Sequence, residues 1–406
     1  MKVYQVGGSV RDLILNRPAH DRDYVVVGAT AEEMLARGFL RVGHEFPVFL
    51  HPRSKEEYAL ARREIKHEDG SIELVFTPEV TLAEDIERRD FTCNALVLDN
   101  DIRRIIDLTG GFDDIRKRRL RHIHDDYFAL DPLRVLRMCR FAAQLDFEIA
   151  PETMVLARKM VANGLLNHLT AERVWKELEK ALASSHFPLF IEAARACGAL
   201  KIILPEVDAL WQIPERSDYH PEGNSGEHTL LALRQYRGNN PLVNFALLLH
   251  DVGKTETPAD ILPAHYGHEI RGAGIVRRIC RHLKTPNVYR DFVSAVCTEH
   301  MKFWRVNEMR LSRVYDMVAG LSNHFKDKER WENFIEICRC DMYGRARGSF
   351  VEESRRFKQN CERCRKIMEK AAEFKAEDMP RFDELPKDEK FGELYRSYCL
   401  RQLQGI

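Results

Sequence analysis

The apolar residues of this chain change their spacing near Pro132, and that change constrains the fold more than any other feature. Before it, short runs with the alternating or continuous apolar character of strands are separated by loops: Val3–Val6, Tyr24–Val27, VFLH, EYALAR, SIELVF, NALVL and RIID. Beyond it, apolar residues fall at helical spacing, at Leu133, Leu136 and Phe141 and again at Val174, Leu178 and Leu182. Strands followed by a helical remainder imply an α+β protein with a small mixed sheet at its start. Turn signals at Asp146–Pro151, Ser184–Pro188 and Pro205 punctuate the helical part, and a Pro/Gly/Ser-containing stretch from Pro214 to Gly226 marks a boundary within it. The expected organisation is a head over residues 1–125, a helical neck over 126–215, a second helical domain over 216–350 and a charged helical tail over 351–406, broken at Pro380 and Pro386.

Charge narrows the function classes. Lys+Arg 63 and Asp+Glu 63 cancel, which argues against a blanket polyanion binder. Local basic clusters survive the average: Arg116, Lys117, Arg118, Arg119 and Arg121; Arg134, Arg137 and Arg140; and a stretch from Arg355 to Lys366. No apolar run approaches the ~18 residues of a membrane helix, and the N-terminus enters a strand pattern directly, so a protein without a membrane span is expected. The 10 cysteines read as reduced thiols of a cytoplasmic protein. The pairs at Cys338/Cys340 and Cys361/Cys364 sit in helical stretches and read as thiols rather than a zinc ribbon.

The first 27 residues carry chemistry. Gly7-Gly8 follows a strand and opens a short helix, Val10–Leu15, where backbone N–H groups can approach a phosphate and Arg11 can reach one of its oxygens. Asp21 and Asp23 then enter the next strand two residues apart, so they project from one face and can share Mg²⁺. This pairing serves phosphoryl or nucleotidyl transfer. VGGSVRD followed by DRDYVV resembles the signature of the DNA polymerase β-like nucleotidyltransferase superfamily, and YALARRE resembles the strand carrying its third acid and an arginine, here Glu57 and Arg62.

RRDFTCNAL and the later DPLRVLRMCRFAA narrow the resemblance to the class II tRNA nucleotidyltransferases, the CCA-adding enzymes, and their poly(A) polymerase relatives. Asp131, Arg134, Arg137 and Arg140 follow one another at three-residue steps, placing them on one slowly winding side of a helix, and three like charges so spaced call for an anion. The resemblance implies that Asp131 and Arg134 read the Watson–Crick edge of the incoming base. It implies that Gly8, Arg11, Arg89, Arg137 and Arg140 contact the nucleotide or the pairing site. Leu130 stands where the family usually has an acid. TAERVWKELEKAL matches a further family element through Glu172, Arg173 and Glu177, expected to brace the helices behind the nucleotide pocket.

A third set lies among the histidines. His228, then His250-Asp251-Val252-Gly253-Lys254 after an apolar helix, then a distant aspartate resembles the HD phosphohydrolase superfamily. The implied metal ligands are His228, His250, Asp251 and either Asp341 or Asp316, holding Ni²⁺ or another divalent transition metal. Some relatives carry a second His-Asp doublet where this chain reads His300-Met301.

The resemblance covers roughly residues 1–350. It implies an enzyme that adds CCA to tRNA from CTP and ATP with Mg²⁺, as a monomer or homodimer. It also implies a separate hydrolase for 2′,3′-cyclic phosphates, 2′-nucleotides or phosphomonoesters. The alternatives are a poly(A) polymerase, a partial CC- or A-adding enzyme, and a hydrolase with a silent head.

Overall fold

Five short strands, each rich in β-branched or aromatic residues, can satisfy their backbone groups only by pairing, and here they gather with two later ones into a single sheet. The structure, a computed structural model, describes residues 1–18, 21–42, 47–67, 72–346, 349–380 and 389–404; the expected break at Pro386 lies outside the described residues. The strands are β1 (Lys2–Val6), β2 (Asp23–Val27), β3 (Leu40–Val42), β4 (Val48–Leu50), β5 (Glu57–Leu60), β6 (Arg63–Lys66), β7 (Ile72–Val75), β8 (Val97–Asp99) and β9 (Arg104–Ile106), with a separate two-residue parallel pair, β10 (Arg119–Leu120) and β11 (Glu148–Ile149). Seven form one sheet in the order β3-β4-β5-β2-β1-β8-β9, and β6 pairs with β7 apart from it. β2 runs parallel to β5 and antiparallel to β1, so the sheet is mixed, as expected.

Alternation along the central strands gives the sheet two apolar faces. Tyr4, Val6 and Val25 bury themselves on one with Ile86, Ala95 and Val97, while Val26 packs on the other with Met34, Phe49 and Leu60. Helix Leu82–Glu87 is started by a reciprocal cap in which Thr81 and Glu84 each satisfy the other's backbone N–H.

The chain forms two compact units, residues 1–169 with 196–199, and residues 170–195 with 200–406. The expected neck is therefore shared between them. Helix Ala171–Leu182 explains why: its Trp175 packs edge-on against Phe245 and Tyr289, and Glu172 bonds Lys284, all within the second unit. The Glu172–Arg173–Glu177 element thus lies on a helix that packs within the second unit.

Among the described residues the regular elements of the second unit are all helices. Helices Ser225–Gln235, Pro241–Leu249, His268–Leu283, Asn287–Phe303 and Lys328–Tyr343 make its centre, and helices Val351–Glu373 and Glu389–Gln402 follow. Pro241–Leu249 is almost wholly buried, consistent with its continuous apolar sequence. Among the described residues no helix is long and apolar enough to cross a membrane.

Candidate active sites

In the head, register places the acids. Asp23 starts β2 and lies directly opposite Glu57 on β5, while its other neighbour is Val6 at the end of β1. Partial burial holds the Asp23 carboxyl above its ordinary value, the facing charges of Glu57 and Asp21 add to this, and Arg89 opposes them. Glu57, inferred as the third acid, is thus brought to Asp23. Gly7 turns the chain out of β1 at φ 78°, ψ −145°, a conformation that side-chain-bearing residues avoid, and helix Gly8–Ile14 follows. A Cβ there would stand 3.8 Å from both Arg89 Nη1 and Asp23 Oδ2, so the glycine leaves the cleft between them open.

Arg89 is aimed by a residue the sequence reading passed over. Asp85 is fully buried and its carboxylate accepts from Arg88 at 2.5 Å, from Arg89 at 2.9 Å and from the backbone N–H of Arg62 at 3.3 Å. Burial alone would raise its pKa, but the two guanidinium groups outweigh that and hold it below the ordinary value. Burial beside these arginines pushes Arg62 down to about 10.

Helix Leu133–Leu145 carries Arg134, Arg137 and Arg140, as expected. Asp131 does not lie on it. It adopts an extended conformation (φ −121°, ψ 103°) because a residue before proline is pushed out of the helical region, and its Oδ1 accepts from the N–H of Leu133 at 3.1 Å. The expected mutual repulsion is also relieved within the fold. Arg134 donates to the carbonyls of Tyr127 and Arg88, Arg137 donates to Asp90 at 2.5 Å, and Arg140 lies 3.9 Å over the Phe141 ring. Phe141 gathers the site, since Arg11 and Arg137 each approach its ring to 5.4 Å. Arg11 also donates to Asn94 at 2.6 Å, and its guanidinium would lie 3.3 Å from a Cβ on Gly8.

The basic run at 116–121 is paired with carboxylates within the fold. Arg116 and Lys117 pair with Asp113, Arg119 and Arg121 with buried Asp114, and Arg118 with Asp146.

In the second unit, five helices or helix ends bring histidines and carboxylates to one buried place. His228 Nε2 lies 3.0 Å from Asp341 Oδ1 and 3.8 Å from Asp251 Oδ2, and His250 Nε2 lies 3.3 Å from Asp251 Oδ2 and 3.9 Å from Asp341. His228, His250 and Asp341 could hold one ion. Asp316 instead pairs with Arg396 at 2.6 Å on the surface, so the geometry favours Asp341 as the last ligand. Burial works against a charged His228, but bonds from Asp341 and Glu222 outweigh it and raise its pKa to about 9. Asp251 is held well below its ordinary value, burial being overcome by Lys254 and His250. Gly253 is required by contact: a Cβ there would fall 1.9 Å from the carbonyl oxygen of His268. Burial raises the Cys338 and Cys364 thiols, the latter to about 12, as for thiols packed in a core. His268, His300 and Glu222 also face this centre with Lys254 of the His-Asp motif, and no sequence spacing announced those three together.

Three family descriptions match the chain: the poly A polymerase head domain over residues 3–121, the probable RNA and SrmB-binding site of polymerase A over 146–210, and the HD domain over 226–330. The multifunctional CCA protein of Acinetobacter baumannii (strain ATCC 17978) is 43% identical over 99% of this chain and 97% of its own length. That of Tolumonas auensis is 46% identical over 85% of each. The Thermotoga maritima CCA-adding enzyme, solved as a complex with tRNA-CCA, shares the fold at a TM-score of 0.60 and 20% identity, covering 100% of this chain and 87% of that one. Near-complete coverage at such identity, with head and hydrolase sequence elements both present, shows that the chain belongs to the bacterial multifunctional CCA proteins.

Proposed function

We propose that this chain adds C, C and A to the 3′ end of tRNA from CTP and ATP without a nucleic acid template, and that its second unit is a phosphohydrolase. The convergence of Asp23, Glu57, Gly7 and Arg89 at one end of the head sheet carries the first reading, in a chain related over nearly its whole length to multifunctional CCA proteins. Carboxylates facing each other in register repel, and that fits a site built for a divalent cation. Asp21 and Asp23 would hold Mg²⁺, which when bound would neutralise charge on the triphosphate of the incoming nucleotide.

The chain's own residues do the rest. Arg11 and Arg89, with Gly8 leaving the backbone accessible, bind phosphate oxygens, while Arg137 and Arg140 border the sugar and the pairing site. Asp131 accepts from an exocyclic amine and Arg134 donates to ring acceptors. G and U present an acceptor where C and A present a donor, so this pair discriminates between the two sets. The tRNA acceptor end is held through shape and phosphates.

In the hydrolase, His228, His250, Asp251 and Asp341 fit a transition-type divalent cation such as Ni²⁺, which supplies a Lewis acid toward a phosphate ester. The buried Nε2 of His250 faces the carboxylates of Asp251 and Asp341 at 3.3 Å and 3.9 Å, a donor set that fits such a cation. The substrates are 2′,3′-cyclic phosphates, 2′-nucleotides and phosphomonoesters, and the enzyme works in the cytoplasm as a monomer or homodimer.

Separation of the two activities tests this reading. Asp23→Ala should abolish incorporation of labelled CTP into tRNA and leave hydrolysis of 2′,3′-cyclic AMP intact, and His250→Ala should do the reverse. Normal incorporation by Asp23→Ala contradicts the head assignment, and loss of both activities in either variant contradicts independent sites.

A further inference from the structure

The hydrolase centre opens onto a cavity of about 400 Å³, lined at its buried end by Lys254 and His268 and toward solvent by Tyr219, Tyr266, Met301 and Arg305. Lys254 Nζ lies 2.7 Å and His268 Nε2 3.3 Å from the carboxylate of Asp251, so the floor of the cavity is the ligand centre itself. Sites for small organic ligands run from roughly 300 to 1,000 Å³, and a phosphate group alone would not fill this one.

The outer wall is apolar where solvent-facing surface is ordinarily polar. Tyr219, Tyr266 and Met301 are 50%, 76% and 42% exposed, and they gather at this one opening from three separate segments. Single exposed apolar residues are ordinary, whereas a cluster at the mouth of a cavity marks a binding surface.

Tyr266 is an exposed ring on a fixed backbone. Its carbonyl accepts from Arg271 Nη1 at 2.9 Å, and the carbonyl of His265 before it lies 2.8 Å from His268 Nδ1. The His265 ring is held on both sides, by Thr257 Oγ1 at 2.8 Å and the Pro214 carbonyl at 3.0 Å. Gly267 then turns the chain at φ 76° into helix His268–Leu283. Two residues span at most ~7 Å between Cα atoms, so Tyr266 is anchored about one nucleotide's length from His268. Tyr219 stands on a turn in which its own N–H and that of His220 donate to the Arg216 carbonyl at 3.0 Å and 2.8 Å. The Arg216 guanidinium lies 4.9 Å from the Tyr219 ring centroid.

Arg216 pairs with Asp218 at 2.7 Å and Arg305 with Glu308 at 3.3 Å, exposed ion pairs of the kind that hold weakly. Aromatic rings with cations at their rim suit a planar base joined to a phosphate, because every base has a face to stack. A phosphate ester without a base would use only the floor.

We infer that this cavity is a base site, in which Tyr266 and Tyr219 stack the nucleobase of the nucleotide whose 2′-phosphate or 2′,3′-cyclic phosphate lies at the centre. The hydrolase thereby selects nucleotides over phosphate esters that lack a base. This rests on reading His228, His250, Asp251 and Asp341 as the hydrolase centre. Stacking is tolerant of base identity, so purine and pyrimidine nucleotides are both accepted.

Matched substrates test it. The full-length protein with Ni²⁺ is given 2′,3′-cyclic AMP, 2′,3′-cyclic CMP and ribose 2,3-cyclic phosphate, which lacks the base. A short RNA ending in the same cyclic phosphate is run beside them to separate a free nucleotide from a strand end. The parent should prefer both nucleotides over the ribose ester by roughly 5- to 150-fold in kcat/KM. Tyr266→Ala and Tyr219→Ala should each shrink that preference by about threefold or more, through KM rather than kcat, and Tyr266→Phe, which keeps the ring, should retain it. Whichever source the parent binds more tightly, nucleotide or strand end, should show the rise in KM. Thermal unfolding of each variant at the parent's midpoint establishes that it is folded. Equal turnover of the three small esters by the parent, an undiminished preference in both alanine variants, or a fall in kcat with KM unchanged overturns the base site and leaves the hydrolase standing. Hydrolysis of none of them by the parent overturns the hydrolase reading and the base site with it.

Discussion

Asp85 holds the pocket arginine, and removing it should damage both the head's stability and its grip on nucleotide. Its fully buried carboxylate accepts two bonds from Arg88, two from Arg89 and one from the N–H of Arg62. Asp85→Ala would leave two guanidinium groups facing an apolar hole. Breaking a buried pair by deleting one partner costs roughly 3–5 kcal/mol. Arg88 and Arg89 keep 12% and 18% of their side-chain surface exposed and can recover some hydration, so the lower end, about 3 kcal/mol, applies. For a unit of this size that is a fall of roughly 6–12 °C in the melting temperature. With Arg89 no longer fixed, one charge-assisted contact to nucleotide, about 1.5–3 kcal/mol, is lost, which raises KM for CTP and ATP alike by roughly 10- to 150-fold. Calorimetry and steady-state incorporation of each nucleotide measure the two effects. A variant with the parent's melting temperature and KM would refute the claim that this buried acid positions the pocket.

Three further outcomes follow from single observations. Gly7→Ala forces a side chain into a positive-φ turn beside Asp23 and Arg89, so nucleotide incorporation should fall at least tenfold while cyclic phosphate hydrolysis, measured in parallel, is unchanged. Gly253→Ala drives a Cβ against the His268 carbonyl, so hydrolysis should be lost and incorporation kept; equal hydrolysis would show that the close approach is not needed. Asp90 is held below its ordinary value of 3.8, burial being overcome by Arg137, so its stabilisation is complete above that pH and fades as pH falls through the lower folded value. Asp90→Asn should therefore lower the melting temperature by a constant amount from pH 7 to about pH 4, with the gap narrowing below it.

What the sequence made legible is what sits close together along it. The Gly7-Gly8 turn and the His250-Asp251 doublet each carry their geometry in spacing, and the structure keeps Asp23, Glu57 and Arg89 together and His228 with Asp341. β2, in contrast, begins at Asp23, so Asp21 stands before the strand and outside the alternation expected of the pair. Asp131 could have been placed off its helix from the proline that follows it. The Thr81–Glu84 cap was readable too, and it would have revealed the helix that carries Asp85. His268 and His300 were not readable as partners, because only the packing of helices His268–Leu283 and Asn287–Phe303 against Gly253 and its neighbours brings them to Asp251. Nor could spacing show that the arginines of Leu133–Leu145 find carbonyl, carboxylate and aromatic partners inside the fold.

If protein side chains alone select each nucleotide, the sequence of what the enzyme adds records that selection. Purified protein with Mg²⁺, CTP and ATP is given tRNA lacking three, two or one of its terminal nucleotides, and the extended products are sequenced. The expected additions are CCA, CA and A respectively, with addition stopping at the completed end and with GTP and UTP excluded. Runs of A beyond the first, a stop after CC, or no extension at all would contradict it.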